Sequence, residues 1–171
     1  PEVGSPDFSL GPSQYGRVFL IGAGPGAPDL LTIRALRLIR EADVLIHDHL
    51  VSAEILNLAP SSARRVYAGK QGGGFCSPQR DIESLLIAEA RAGHDVIRLK
   101  GGDPFIFGRG GEEAEALAAA GIEFEVVPGV TAGLAAAAAT LTPLTQRGVA
   151  SAVVFLTGHE DPSKEETSIR W

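Results

Sequence analysis

The chain has 171 residues, of which 15 are Lys or Arg and 21 are Asp or Glu, so its formal net charge is -6 at pH 7. Its length suits one domain or one and a half. Its composition, with 44% hydrophobic and 21% charged residues, is typical of a folded protein and not of a disordered one. The acidic balance argues against a nucleic-acid binder that relies on general phosphate attraction, because such surfaces need an excess of Lys and Arg.

Other features narrow the class of protein further. No stretch approaches the roughly 18 uninterrupted apolar residues of a membrane span, and the start lacks a basic-then-apolar signal. These patterns predict a cytoplasmic protein without a membrane partner. Cys76 is the single cysteine and cannot form an internal disulfide. The four histidines show no zinc spacing, so we predict a metal-free protein.

Short apolar runs alternate with helical patterns along the chain. The first 16 residues mix Gly, Pro and Ser without a period and are interpreted as a disordered lead-in. Strands are predicted at 17–21, 43–46, 65–68, 95–99 and 122–127. Helices are predicted from Pro28 to about Ala42 and at 78–92, 111–120 and 131–140. This alternation predicts an α/β fold with a mainly parallel sheet flanked by helices, and ligands beyond the carboxyl ends of the strands.

The C-terminal part of the chain has a different pattern. The first α/β domain is predicted at 17–142, with an alanine-rich helix around 135–139 that packs tightly against the sheet. Residues 143–149 are polar and contain Pro, which is typical of a linker. A fresh apolar strand at 152–156 follows, so residues 150–171 are interpreted as the opening of a second α/β domain that stops early.

Three loops rich in Gly or Pro follow predicted strands, at 22–27, 101–104 and 128–131. We expect all three at one sheet edge, where glycine lets backbone approach a ligand closely. Any one of them alone is explained equally well as a tight turn. The first loop also matches a GxGxxA dinucleotide fingerprint. Pro25 and Pro28 remove two N–H donors and push the helix start beyond the glycines, so we reject a nicotinamide or flavin enzyme.

The residues of these loops and their neighbours resemble those of the uroporphyrinogen-III C-methyltransferases, a group within the tetrapyrrole methylases. The likeness runs in unbroken order from Arg17 to Trp171, and its most specific part is 101–113. The matching segments are 22–32, 42–44, 48–51, 69–70, 78–79, 101–113, 127–131, 143–145, 147–148 and 157–159.

The resemblance implies an S-adenosylmethionine-dependent enzyme that releases S-adenosylhomocysteine as a product. This enzyme methylates two pyrrole carbons of uroporphyrinogen III and gives precorrin-2 for sirohaem or cobalamin synthesis. It also implies a homodimer with a small-molecule tetrapyrrole as substrate. The residues that it assigns to the cofactor are Pro25, Gly101, Gly102, Asp103, Ile106, Thr131 and Ala132.

The substrate carries eight carboxylates, so an acidic chain must bind it through a local cluster of cations. Lys70, Arg109 and Arg147 are the candidates, since guanidinium groups bind carboxylates bidentately. Arg109 is flanked by glycines and is expected to lack a local packing partner. Asp48 is the first candidate for the catalytic carboxylate or base, and Glu112 is the second. Asp48 has an alternative role as the cap of a helix near Ser52, and Glu112 as a charge in a first helical turn.

Two departures from the family pattern leave alternatives open. The linker carries Gln146 where relatives usually have His, which removes a titratable group. By the resemblance, the chain also stops near the start of the second domain. An inactive cofactor-binding fragment therefore stays an alternative, as does a related corrin-pathway methyltransferase that acts on a later precorrin.

Overall fold

The computed structural model describes residues 15–69 and 79–157. These residues form one five-stranded sheet in the order β3-β2-β4-β1-β5, with every neighbouring pair parallel. The strands are β1 Val18–Gly22, β2 Val44–His47, β3 Arg64–Tyr67, β4 Val96–Lys100 and β5 Phe124–Val127. The helices are α1 Ile33–Arg40, α2 Ala53–Leu56, α3 Gln79–Arg91, α4 Gly110–Ala119 and α5 Ala132–Ala139. The predicted α/β fold is confirmed.

Helices cover both faces of the sheet, which explains the continuous apolar runs in its inner strands. Every residue of β1 and of β4 is buried, as expected for strands with a packed layer on each side. One layer packs Ile39 of α1 and Ile55 of α2 against the sheet. The opposite layer packs Leu86 of α3 and Leu117 of α4. The parallel strands therefore end together at one edge, and the loops of interest follow them there.

Two helix predictions need correction near the first loop. Pro28–Leu30 is a short 3-10 turn, and α1 begins only at Ile33 because Thr32 is its N-cap, with its side-chain oxygen accepting from the Ala35 N–H at 3.1 Å. The short helix α2 was named only as the helix near Ser52 in the alternative role of Asp48, without bounds of its own. Its single turn gives too little apolar periodicity to be read from the sequence.

The C-terminal part also differs from the predictions. Every residue of α5 is at least partly exposed, so the expected tight packing of the alanine-rich helix is wrong. Residues 151–157 form no strand with the described part of the chain, so within that part the predicted strand at 152–156 is wrong. Phe155 instead lies against the backbone of Gly133 in α5. The proposed domain boundaries stay predictions. The predictions for residues 1–14 and 158–171, and for a helix start at Pro78, lie outside the described residues.

Truncation of a side chain in either packed layer should destabilise the fold. Leu86 is fully buried, so we expect Leu86→Ala to lower the free energy of unfolding by about 2–5 kcal/mol. Leu141 is 91% exposed and is the matched control, since Leu141→Ala should change stability by less than about 0.5 kcal/mol. Urea unfolding of both variants measures the difference, and equal losses would contradict the assignment of Leu86 to the core.

Candidate active site

The first two glycine loops are joined by backbone hydrogen bonds beyond the ends of β1 and β4. The Gly24 N–H donates to the Gly102 carbonyl at 3.1 Å, and the Gly102 N–H donates to the Gly24 carbonyl at 2.8 Å. The Ala23 N–H also donates to the Lys100 carbonyl at 2.8 Å. The predicted meeting of these loops at one sheet edge is therefore confirmed.

The third loop joins the same edge through close backbone approach. A Cβ on Gly22 would lie 2.6 Å from the Gly102 carbonyl oxygen and 2.6 Å from the Gly129 Cα, so no larger residue fits at position 22 without displacing backbone. Asp103 braces the arrangement, because its Oδ2 accepts from the Gly129 N–H at 3.1 Å and its Oδ1 accepts from the Phe105 N–H at 2.9 Å. The sequence pointed to Asp103 as a cofactor contact and missed this bracing role.

The surroundings of Gly102 are lined mainly by backbone. Gly102 has a φ of +66°, and a Cβ there would lie 3.7 Å from the Ala132 N and the Thr131 Cα. Thr131 is itself buried. Because α1 starts only at Ile33, its N-terminus does not follow the glycines of the first loop directly, as a dinucleotide fingerprint requires. The first loop and α1 therefore do not form the diphosphate cradle of that fingerprint, and the backbone polar groups of the site suit an adenosine and an amino-acid end instead.

Among the other predicted cofactor contacts, Ile106 is half-buried within the second loop, Gly101 opens that loop beside Leu50, and Pro25 is exposed on the first loop. A Cβ on Gly101 would lie 2.7 Å from the Leu50 Cβ. The cofactor-binding residues of the prediction thus lie on the loops that meet at this edge.

Asp48 follows β2 directly and is half-buried. Its Oδ1 accepts from the Leu50 N–H at 2.9 Å, which closes a tight turn. The N-cap of α2 is Ser52, whose Oγ accepts from the Ile55 N–H and also donates to the Gly26 carbonyl at 2.8 Å. The alternative role of Asp48 as a helix cap is therefore wrong, because Ser52 performs it and ties α2 to the first loop.

Arg109 and Glu112 form a bidentate ion pair on the exposed first turn of α4. The Arg109 Nε donates to Glu112 Oε1 at 2.8 Å and its terminal nitrogen donates to Oε2 at 2.6 Å. The expectation that Arg109 lacks a local partner is wrong. Glu112 follows it by three residues, and the first turn of α4 places both side chains on the same side of the helix. The hydrogen bonds from Arg109, with its charge, hold the pKa of Glu112 below its usual range.

The backbone at this turn is unusual for residues with side chains. Arg109 is the N-cap of α4 with a φ of +56°, and Phe107 has a φ of +55°. Residues other than glycine seldom adopt this left-handed conformation, and such positions cluster at functional sites. Of the other predicted cations, Arg147 lies on an exposed turn closed by hydrogen bonds between Gln146 and Ala150, and Lys70 lies outside the described residues.

A buried cluster behind the Arg109 turn was missed by the sequence reasoning. Glu113 accepts from the Arg98 Nε at 3.1 Å and from the Lys100 Nζ at 3.0 and 3.1 Å. Burial lowers the pKa of Lys100, the nearby charge of Arg98 lowers it further, and Glu113 opposes both. The sequence signal was available, because two basic residues alternate within an otherwise apolar strand and two adjacent glutamates open α4.

The described residues contain neither a metal-binding cluster nor a membrane-spanning helix. In the ranges 15–69 and 79–157, no group of three or more His, Cys, Asp or Glu side chains is arranged to hold a metal ion. Within the same ranges, no helix has both the length and the apolar character needed to cross a membrane.

The family model for Tetrapyrrole (Corrin/Porphyrin) Methylases matches residues 17–170. The chain belongs to the tetrapyrrole methylase family. Among curated relatives, it is 61% identical over 145 residues to a siroheme synthase of Methylococcus capsulatus, covering 85% of this chain and 31% of the relative. It is 50% identical over 157 residues to an S-adenosyl-L-methionine-dependent uroporphyrinogen III methyltransferase of Methanosarcina barkeri, covering 92% of this chain and 62% of the relative.

Solved structures of the family share the fold of this tetrapyrrole methylase. A uroporphyrin-III C-methyltransferase from Thermus thermophilus has 50% identity and a TM-score of 0.69 over 78% of this chain and 56% of that protein. The same enzyme complexed with S-adenosyl homocysteine has a TM-score of 0.68 over 80% of this chain and 57% of that one. The chain therefore spans less than two thirds of the length of these relatives.

The backbone lining at Gly102 leads to a test with a matched control. We expect Gly102→Val to weaken binding of S-adenosylhomocysteine at least tenfold, because the branched side chain would stand beside Thr131 and Ala132. Gly121 has nearly the same φ, +68°, with no atom within 4 Å of a built Cβ, so Gly121→Val carries the same backbone strain away from the loops. Calorimetry on both variants separates the effects, and similar affinities would make the Gly102 loop a purely structural turn.

Proposed function

We propose that the chain forms the cofactor-binding part of an S-adenosylmethionine-dependent uroporphyrinogen-III C-methyltransferase, which transfers two methyl groups to pyrrole carbons and gives precorrin-2. The observation that carries this proposal is the convergence of the loops at Gly24, Gly102 and Gly129 beside the Arg109 turn. Relatives named for this activity in Methanosarcina barkeri and Thermus thermophilus, each about half identical to the chain, support it.

The cofactor would lie against Gly102, Thr131 and Ala132, with Ile106 beside it. When bound, S-adenosylmethionine supplies an activated methyl group on a sulfonium centre. The protein's contribution is a cradle of backbone donors and acceptors, in which Asp103 ties the second loop to Gly129 of the third. This cradle needs no phosphate-binding helix, so Pro25 in the first loop does not interfere with it.

The acidic substrate would be bound by local cations despite the net charge of the chain. Arg109 is exposed, and Glu112 already holds its guanidinium in bidentate geometry. A carboxylate of the tetrapyrrole would replace or share this partner, because the planar fork pairs equally well with any carboxylate. Lys70 and Arg147 would bind other carboxylates of the same macrocycle.

Methyl transfer makes the attacking pyrrole ring cationic, so a carboxylate near the ring stabilises the transition state and a base then removes a proton. Asp48 is the first candidate, because it is half-buried at the end of β2 on the edge where the loops meet. Glu112 is the second, and its bidentate bond to Arg109 favours the role of holding that guanidinium.

A second candidate function is methylation of a later precorrin. A cobalt precorrin-4 methyltransferase matches the chain with 34% identity and a TM-score of 0.67 over 76% of it and 52% of that protein. The lower identity favours uroporphyrinogen III as the substrate. A role as an inactive cofactor-binding fragment is the third possibility, and substrate tests separate all three.

We also propose that the chain acts in the cytoplasm as part of a homodimer and feeds sirohaem and cobalamin synthesis. The siroheme synthase relatives support the sirohaem branch, since the chain is 61% identical to one of them. The net charge of -6 supports a small-molecule tetrapyrrole, rather than nucleic acid or a membrane, as its partner.

Cofactor binding is tested by thermal unfolding of the chain with two ligands. S-adenosylhomocysteine at about 100 times its Kd should stabilise the chain by about 2.7 kcal/mol, because it binds only the native state. NADH should leave Tm unchanged, since α1 starts too far from the glycines to hold a diphosphate. A Tm increase with NADH alone would overturn the proposed function.

The role of Asp48 is tested with Asp48→Asn in a form of the protein that transfers methyl groups. The amide oxygen keeps the hydrogen bond to the Leu50 N–H, so stability should change little. Loss of a carboxylate that stabilises the transition state should raise the barrier by about 3 kcal/mol, or slow single-turnover methyl transfer about a hundredfold. Asp81→Asn, in the exposed first turn of α3, is the control. A normal rate in Asp48→Asn would leave Glu112 as the remaining candidate.

A further inference from the structure

Two buried cations share one buried carboxylate behind the candidate active site. Arg98 and Lys100 are 3% and 4% exposed, and Glu113 is fully buried. Arg98 and Lys100 alternate along β4, so their side chains leave the sheet on the same face, toward α4. The cluster therefore has one more positive charge than it can balance with Glu113.

Lys100 is the second cation of this cluster, beside a pair that is neutral without it. Arg98 and Glu113 alone form a neutral pair, supported by a bond from Arg98 Nη1 to the Leu99 carbonyl at 3.3 Å and by Gln79 at 3.4 Å from Glu113. Burial lowers the pKa of Lys100, which means that the environment disfavours its charged form. Removing one partner of a buried ion pair usually costs stability, but loss of Lys100 would still leave Glu113 paired with Arg98.

Lys100 contacts the first loop, helix α4 and the turn that leads to Arg109. Its carbonyl accepts from the Ala23 N–H of the first loop, and its Nζ binds both oxygens of Glu113 in α4. Its Cε lies 3.1 Å from where a Cβ on Gly108 would stand, so its stem supports the turn that leads to Arg109. That turn is closed by the Gly110 N–H donating to the Pro104 carbonyl at 3.1 Å.

The charge of Lys100 also acts on both candidate carboxylates. Asp48 stabilises the protonated form of Lys100, and the positive charge of Lys100 adds to that of Arg109 in lowering the pKa of Glu112. Of the charged groups that face it, Arg98 repels Lys100 and Glu113 attracts it. Lys100 thus connects the first loop, the Arg109 turn and the two carboxylates.

We propose that Lys100 is a positioning residue: its buried ammonium, bound to Glu113, fixes the turn at 104–110 against the end of β4 and so sets the positions of Arg109 and Ile106. The contacts of Lys100 with Glu113 and with the turn at Gly108 support this positioning role directly. Only its consequence for S-adenosylhomocysteine binding rests on the proposed function.

The test compares Lys100→Met with two further variants. Lys100→Met removes the surplus cation and leaves Arg98 paired with Glu113, whereas Lys100→Arg keeps a cation that can bind Glu113. Arg64→Met is the control, because Arg64 forms another strand-to-helix ion pair, with Glu89, at the opposite end of the sheet. Measurements on the chain are Tm, hydrogen–deuterium exchange of peptides covering 104–110, and the Kd for S-adenosylhomocysteine by calorimetry.

We expect Lys100→Met to lower Tm by less than Leu86→Ala does, because Arg98 still pairs with Glu113, to speed exchange at 104–110 about tenfold and to raise the Kd at least tenfold. Lys100→Arg should restore exchange to within about threefold of wild type, and Arg64→Met should leave exchange and Kd unchanged. Unchanged exchange in Lys100→Met, an unchanged Kd, or a fall in Tm as large as that of Leu86→Ala would overturn the proposal. If the wild-type chain does not bind S-adenosylhomocysteine, the proposed function fails, and exchange with Tm alone decides the role of Lys100.

Discussion

The paired hydrogen bonds between Gly24 and Gly102 are the contact on which the candidate site depends. They continue the β1–β4 pairing past the ends of the strands, so that two loops far apart in sequence become one surface. Gly22 permits the third loop to approach, because any side chain there would strike the backbone of Gly102 and Gly129. Asp103 then ties the second loop to the third by accepting from the Gly129 N–H, and it closes its own loop by accepting from the Phe105 N–H. A rigid, backbone-lined surface of this kind favours a ligand with many neutral polar groups over a diphosphate.

Charges of both signs meet at this edge of the sheet. The chain carries a net charge of -6, and the described residues pair each cation here with a carboxylate, Arg98 and Lys100 with Glu113 in the interior and Arg109 with Glu112 at the surface. The lowered pKa of Glu112 means that its pair with Arg109 is fully formed above the ordinary carboxyl pKa and is lost only as pH falls through the lowered value.

Stability and function are located in different parts of the molecule. The packed layers around Leu86 and Ile39 hold the sheet, whereas the loops beyond the strands carry the candidate site. The part of the chain from α5 onward differs from both, with Leu141 and Val154 largely exposed. Relatives of this family are longer than the chain, which spans 62% of the Methanosarcina barkeri protein.

The sequence by itself determined the α/β fold, most strand and helix positions and the three loops, because apolar periodicity and glycine placement are local properties. It also placed Asp48, Arg109 and Glu112 after strands or at a helix start. The tertiary structure decided what those side chains contact: Ser52 rather than Asp48 caps α2, and Arg109 is bound to Glu112. It also decided that residues 151–157 form no strand with the described part of the chain, and that Lys100 binds Glu113. These contacts depend on which elements become neighbours in space, and a linear pattern does not encode that.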